Sequence, residues 1–234
     1  VCTKGMVIKM DYRDYQPKKT SRVREDIEWS INYSYNTLDT KNPRVMLIGD
    51  SICNAYHYAV RDRLAGKANV SFWASSKCVT DPDYFRELEF MLDAREYALV
   101  TFNNGLHSLT TDLSEWEEAY RSAVRFILDK LPETTLCIVL STALNDDELT
   151  KRSYELNQIA LRIADEFRLP VIDLFTLTNA LDKPNEMTDR FHFGHKAIDM
   201  QADMIAAKAC ELLDLRDIGI VQKSTETGAL GAEK

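Results

Sequence analysis

Residues 44–51 read RVMLIGDS, a short apolar run that ends in glycine, aspartate and serine. Short apolar runs bounded by turn residues are typical of strands that are buried inside a parallel sheet. The next segment, residues 54–65, has the spacing of a helix. The stretch therefore predicts a strand, a tight turn and a helix, with Ser51 at the carboxyl edge of a sheet.

The same alternation continues along the chain. We expect strands at residues 44–48, 70–74, 98–102, 136–141 and 169–174, and helices at 54–65, 83–93, 114–131, 147–167 and 195–213. Strands that alternate with helices of this length indicate an α/β fold, with a parallel sheet covered by helices on both faces. Such sheets bind ligands at the carboxyl ends of their strands. We therefore expect one five-stranded parallel sheet with its functional site at that edge.

The 234 residues divide into three segments of different character. Residues 1–42 are polar and aromatic, and we expect an N-terminal extension that packs on the core, with residues 25–35 as a helix over one edge. Residues 43–216 carry the regular pattern and form the α/β domain. Residues 217–234 are polar and glycine-containing, which predicts a flexible C-terminal tail.

Composition and charge exclude several classes of function. The formal net charge of −8 argues against nucleic acid or an anionic membrane surface as a partner. No apolar stretch approaches the length of about 20 residues that spans a bilayer. The five cysteines include no CxxC pair, which argues against a structural zinc site. Because residues 1–10 show no apolar leader, we expect a cytoplasmic location, and a periplasmic or secreted one stays open for a mature form.

Two motifs carry the chemistry of a candidate catalytic triad. Ser51 follows the first strand, and Asp189 and His192 occur three positions apart just before the last helix. A histidine can take the proton of a serine hydroxyl near neutral pH, and a carboxylate can orient the imidazole. Ser51 could instead be only a helix N-cap, and an Asp-x-x-His pattern arises by chance in an acidic chain. Both motifs lie in strand-to-helix loops, which favours the triad.

Polar residues after the second and third strands are candidates for an oxyanion hole. Asn103, Asn104 and His107 follow the third strand, and Ser76 follows the second. Amide side chains and backbone N–H groups can donate to an oxyanion, as can the N–H of Ser51 at the start of a helix. Both segments could instead be ordinary turns.

Three further residues have simpler interpretations. Cys53 is a conceivable thiol nucleophile, but it would lie inside the first turn of the helix after Ser51. His57 is expected to pack or face solvent. His195 follows His192 by three positions, but no third metal ligand is evident, so a role at the start of the last helix is expected.

These motifs resemble those of the SGNH (GDSL-type) hydrolase superfamily. The first block appears as residues 48–51 (IGDS) and the last as residues 189–192 (DRFH), and the resemblance extends over residues 43–213. The chain is most similar to bacterial members whose third block reads NNGLH, as it does here at residues 103–107. The resemblance implies a flavodoxin-like three-layer α/β/α sandwich. Aligned on glycine, the third block offers His107 where the superfamily has an amide donor, and Ser76 lies where it has a glycine.

The resemblance implies a serine ester hydrolase that works through an acyl-enzyme. Ser51 would be the nucleophile, His192 the base and Asp189 the residue that orients it, without any metal or organic cofactor. The most favoured substrate is a carbohydrate O-acetyl ester. A lipase or thioesterase for longer acyl esters, or a glycan-binding module with a weak oxyanion hole, remain alternatives.

Overall fold

A six-stranded sheet forms the centre of the computed structural model, which describes residues 11–215. The strands are β1 (Ser30–Ser34), β2 (Arg44–Gly49), β3 (Asn69–Ser75), β4 (Leu99–Phe102), β5 (Thr135–Val139) and β6 (Val171–Ile172). Their spatial order is β1-β3-β2-β4-β5-β6. The pairs from β3 to β6 are parallel, whereas β1 runs antiparallel to β3 at one edge. The carboxyl ends of β2 to β6 therefore meet at one edge of the sheet.

Helices cover both faces of this sheet. The described residues form α1 (Ser51–Arg63), α2 (Tyr84–Asp93), α3 (Leu113–Lys130), α4 (Asp147–Phe167), α5 (Leu174–Asn179), α6 (Lys183–Glu186) and α7 (His195–Leu212). No helix in residues 11–215 is long and apolar enough to cross a bilayer. The predicted tail at residues 217–234 lies outside the described residues.

Strand β2 shows how the core is divided into two layers. All its residues are buried, and successive side chains of a strand point to opposite faces. Met46 and Ile48 pack in the cluster formed with α2, α3 and α4, whereas Val45 and Leu47 pack in the cluster formed with α1 and α7. The predicted three-layer α/β/α sandwich is confirmed.

Two details of the predicted fold were wrong. The sheet has six strands rather than five, and residues 25–35 form no helix, because residues 30–34 are the edge strand β1. Ile31 pairs with Ala74 and Tyr33 with Phe72 across the antiparallel ladder. The Trp73 indole also donates to Ser30 Oγ at 2.8 Å. The ladder to β3 gives the backbone N–H and C=O groups of residues 30–34 hydrogen-bond partners outside their own segment.

The segment before β1 lies across the carboxyl edge of the sheet and is anchored by a buried arginine. The Arg22 side chain is 1% exposed and forms an ion pair with the fully buried Asp81. The same guanidinium donates to the carbonyl oxygens of Ser76 at 2.7 Å and of His107 at 3.0 Å. Arg22 therefore joins the N-terminal segment to the loops that follow β3 and β4.

Candidate active site

Ser51 is the first residue of α1, directly after the turn that ends β2. Asp50 caps the helix, because its Oδ1 accepts the Ile52 N–H at 2.9 Å. Gly49 allows the close approach of strand and helix, since a Cβ at this position would lie 2.6 Å from Cys53 Cβ. The turn therefore places the Ser51 hydroxyl at the carboxyl edge of the sheet, beside the N–H groups at the start of a helix.

Asp189 and His192 lie in a tight loop between α6 and α7. The loop closes through an antiparallel bridge between Met187 and Phe193 and through the Thr188 N–H, which donates to the His192 carbonyl oxygen at 2.9 Å. Asp189 Oδ1 accepts the backbone N–H of His192 at 2.8 Å. These bonds fix the backbone from which the imidazole projects.

The structure brings Ser51, His192 and Asp189 into one hydrogen-bonded row across 141 positions of sequence. His192 Nε2 lies 2.9 Å from Ser51 Oγ, and His192 Nδ1 lies 2.8 Å from Asp189 Oδ2. A carboxylate can only accept, so the ring proton is on Nδ1 and Nε2 is free to accept the serine proton. The row has the geometry that general-base activation of a hydroxyl requires.

The environment of Asp189 keeps its carboxylate charged. Partial burial opposes ionisation, but hydrogen bonds from the His192 side chain and from the backbone N–H groups of Phe191 and His192 outweigh it and lower the pKa of Asp189 to about 2. The carboxylate is therefore ionised at any pH near neutrality, as a residue that orients and stabilises an imidazolium must be.

The two asparagines after β4 are engaged within the protein. Asn103 Nδ2 donates to the Val139 carbonyl oxygen at 2.7 Å and to Ser141 Oγ at 3.1 Å. Asn104 Nδ2 donates to the Lys77 carbonyl oxygen at 2.8 Å, and its Oδ1 accepts the Val79 N–H at 2.9 Å. These amides hold neighbouring loops together, so their N–H groups are engaged within the protein rather than presented to an oxyanion.

Ser76 is also occupied by other contacts. Its N–H donates to the Trp29 carbonyl oxygen at 3.1 Å, and its Oγ accepts the Trp29 N–H at 2.8 Å. The serine therefore extends the pairing of β1 with β3 instead of presenting a donor to a ligand. Gly105 likewise serves packing, because a Cβ there would lie 1.9 Å from Ser141 Oγ.

His107 differs from these residues because it lines a cavity together with Ser51 and His192. The cavity has a volume of about 520 Å³, and much of its wall is apolar. His107 Nδ1 lies 2.5 Å from Glu25 Oε1, while Nε2 is buried without a hydrogen-bond partner. The residues that line the cavity are Arg22, Val23, Glu25, Trp29, Ser51, Leu106, His107, Leu109, Thr110, Leu149, Arg190, Phe191 and His192.

The other candidates of the sequence lie elsewhere or are unreactive. Cys53 is 2% exposed, and burial raises the pKa of its thiol, so it stays protonated. His57 is buried and stacks on Phe72. His195 is exposed at the start of α7. Among residues 11–215, no three His, Cys, Asp or Glu side chains are grouped as a metal ion would require.

Sequence reasoning missed two features of the site. Glu25, which contacts His107, lies in a segment that carries no recognisable motif. Arg190 forms an ion pair with Asp146 at 2.7 Å, and Asp146 also caps α4 through the Leu149 N–H. The sequence shows an acidic run at residues 146–148, and its first carboxylate binds the loop that carries His192.

Comparisons with known proteins find similarity in structure alone. No family model matches the chain, and no curated protein matches it in sequence. Among solved structures, the acetyl xylan esterase AlAXEase has a TM-score of 0.60 and 16% identity, over 70% of this chain and 98% of that one. A catalytic mutant of the acetylxylan esterase Axe2 from Geobacillus stearothermophilus has a TM-score of 0.59 and 15% identity, over 74% and 95%. A lipase/acylhydrolase from Enterococcus faecalis has a TM-score of 0.59 and 16% identity, over 74% and 97%.

The chain has the SGNH/GDSL hydrolase-type fold. The TM-scores of 0.59 and 0.60 establish the architecture. Because the identities are 16% or less, the chemistry must be argued from the residues of this chain. The cavity on this SGNH/GDSL hydrolase-type fold lies at the carboxyl edge of the parallel strands, where open α/β sheets bind their ligands.

Proposed function

We propose that this protein is a serine ester hydrolase with Ser51 as nucleophile. The observation that carries the proposal is the row of Asp189, His192 and Ser51 at the wall of an open cavity. An N-cap role alone does not account for the row, because Asp50 rather than Ser51 caps α1. The similar fold of known esterases and an acylhydrolase adds support.

The proposed reaction proceeds through an acyl-enzyme. Ser51 Oγ attacks the ester carbonyl carbon while its proton passes to His192 Nε2, and the resulting imidazolium is stabilised by Asp189. The bond to the leaving alcohol then breaks, and His192 returns the proton to the alcohol oxygen. Water attacks the acyl-enzyme with the same ring as base, which releases the acid and regenerates Ser51. The N–H of Ser51 at the start of α1 is a donor for the oxyanion.

Two classes of substrate are candidates. Two of the three similar structures named above are acetyl xylan esterases, which favours an acetyl ester of a carbohydrate. The cavity wall favours a longer acyl or another apolar ester group, because Val23, Leu109, Leu149 and Phe191 line it beside Ser51. Apolar side chains bind an acyl chain through burial but offer no hydrogen bonds to sugar hydroxyls.

Hydrolysis of p-nitrophenyl acetate by wild type and by Ser51→Ala tests the function. We expect the variant to lose at least about 10³-fold in kcat and to lose labelling by a fluorophosphonate probe. Cys53→Ala is the matched control, because it removes the thiol two residues after Ser51 and leaves the triad intact. Activity retained by Ser51→Ala would remove Ser51 from the mechanism, whereas an inactive, unlabelled wild type that binds glycans would favour the glycan-binding module.

A series of acyl chain lengths separates the substrates. Highest kcat/KM on acetate esters, together with release of acetate from acetylated xylo-oligosaccharides, supports the carbohydrate esterase. A rise of kcat/KM from acetate to octanoate supports the acyl hydrolase. If the apolar wall binds the acyl chain, Leu149→Ser should lower kcat/KM for the octanoate ester more than for the acetate ester. The reason is that each buried methylene contributes about 0.8 kcal/mol.

A further inference from the structure

The loop that carries the acid and the base of the triad, residues 188–192, has few hydrogen bonds to the rest of the protein. Most of its hydrogen bonds join residues of the loop itself. In the part of the chain that the structure describes, those that leave the loop run only to Ser51 and to the connection between β5 and α4. Phe191 packs on the core cluster formed with α1 and α7, whereas Asp189 and His192 are partly exposed. The position of the two catalytic side chains therefore depends strongly on the few outward hydrogen bonds.

Two adjacent residues before α4 hold the loop, and we call their contacts with it the loop clamp. The Asn145 N–H donates to the Arg190 carbonyl oxygen at 3.0 Å. Arg190 Nη2 donates to Asp146 Oδ2 at 2.7 Å, while Asp146 Oδ1 accepts the Leu149 N–H at 3.0 Å. The hydrogen bonds from Leu149 and Arg190 lower the pKa of Asp146, so its carboxylate is charged near neutral pH. Asp146 thus joins the loop to the first turn of α4 with one oxygen for each partner.

The hydrogen bond between Ser51 and His192 cannot persist throughout the proposed reaction. In the free enzyme, the Ser51 hydroxyl donates to His192 Nε2, which lies 2.9 Å away. In the acyl-enzyme the serine oxygen carries no hydrogen, and a neutral imidazole with its proton on Nδ1 has no Nε2–H to donate. The contact is therefore lost at the stage when His192 must act as the base for water. Of the hydrogen bonds that leave the loop in the described structure, only the loop clamp then remains.

We propose that Asp146 is a positioning residue that, through Arg190, holds His192 in place for hydrolysis of the acyl-enzyme. The inference rests on the proposed serine hydrolase function. In this step the oxygen of water bonds to the acyl carbon as its proton passes to His192 Nε2, and the proton then passes to Ser51 Oγ as the bond from the acyl carbon to Oγ breaks. Asp146 touches none of the reacting atoms. Its contribution is larger in this step than in acylation, in which Ser51 itself binds the ring.

Burst kinetics with p-nitrophenyl acetate test the proposal, because they separate acylation, which releases p-nitrophenolate, from deacylation. Deacylation limits turnover of this ester because p-nitrophenolate is a good leaving group. Asp146→Asn keeps an oxygen for the Leu149 N–H, and asparagine is as good an N-cap as aspartate, but its NH₂ group would face Arg190. We expect the rate of the burst to stay the same and the steady-state rate after it to fall about 5-fold. Because kcat/KM contains only the steps up to acylation, it should change little.

Asp147→Asn is the matched control, because it removes the next carboxylate in the first turn of α4. Asp147 is exposed and forms no hydrogen bond with the loop in the described structure, so we expect an unchanged steady-state rate. Arg190→Met removes the other partner of the ion pair, and in this background Asp146→Asn should have little further effect. Thermal melts should show that all variants fold.

Three results would overturn the positioning role of Asp146 and leave the hydrolase intact. They are an unchanged steady-state rate for Asp146→Asn, equal losses in its kcat and kcat/KM, and the same loss in the wild-type and Arg190→Met backgrounds. A wild type without Ser51-dependent hydrolysis would overturn the proposed function as well.

Discussion

Asp189 binds His192 with both of its carboxylate oxygens. Oδ2 lies 2.8 Å from the ring Nδ1, and Oδ1 accepts the backbone N–H at 2.8 Å and that of Phe191 at 2.7 Å. One side chain thus fixes the tautomer of the ring and the shape of the loop from which it projects. Both Asp189 and His192 are substantially exposed, at 53% and 43% of their side chains. Their alignment therefore depends on these bonds more than on packing.

Asp189→Asn should separate the two roles of this carboxylate. The amide oxygen can still accept the backbone N–H groups, but its NH₂ group would face Nδ1 and favour the tautomer that cannot accept the Ser51 proton. We expect kcat to fall about 10⁴-fold, and the melting temperature to fall only by what the lost charge contributes to stability. Ester hydrolysis and thermal denaturation measure the two effects. Asp182→Asn makes the same change on an exposed cap nearby, and activity lost there to the same extent would contradict the assignment.

The charge of Asp189 should persist into strong acid. Its pKa of about 2 lies below the ordinary value of 3.8, so its contribution to stability is present above pH 3.8 and is lost as the pH falls towards 2. Carbon-13 NMR of the carboxyl group measures this directly. His192→Ala removes one of the hydrogen bonds, so the midpoint should rise towards the ordinary value. An unchanged midpoint would show that the histidine does not hold the carboxylate.

Arg22 and Arg24 offer a matched test of how the N-terminal segment is held. Arg22→Met leaves Asp81 buried without its strongest partner, and we expect the free energy of unfolding to fall by about 3–5 kcal/mol. Burial raises the pKa of Asp81, so in the variant its carboxylate can take up a proton. The loss of unfolding free energy should therefore lie at the lower end of that range. Arg24 is 44% exposed, binds the partly exposed Asp83 at 2.7 Å and reaches Asp81 only at 3.7 Å, so Arg24→Met should cost at most about 1 kcal/mol. Urea denaturation measures the free energy of unfolding of both variants, and similar losses would contradict the role of Arg22 as the anchor.

The core of the fold was predictable because its signals are local. The predicted helix at residues 147–167 agrees with α4 at both ends, because a capping aspartate and a long amphipathic pattern mark them. Ser51 was predictable for the same reason, since an apolar strand, a glycine and a helix surround it. Asp189 and His192 form a contact between near neighbours, so their spacing alone suggested it.

The edge strand and the contact between Glu25 and His107 were not predicted. Trp29, Ile31, Tyr33 and Tyr35 alternate with polar residues, and this period of two could have indicated β1. Its partner β3 is more than thirty-five residues away, and no local rule specifies such a pairing. Glu25 was missed because it reaches His107 only after β1 and Arg22 have brought the segment over the sheet.

The segment before residue 43 therefore has consequences for any shortened form of this protein. A chain cut back to residues 43–213, whose motifs resemble those of SGNH hydrolases, would lose the neighbour of β3, whose residues are all buried. A bare, apolar sheet margin of this kind invites self-association. The same cut would remove Val23, Glu25 and Trp29 from the cavity wall, so Ser51 would lie in a wider and more solvent-exposed cavity. The shortened protein would thus lose both substrate selectivity and solubility, because the same segment lines the cavity and covers the edge of the sheet.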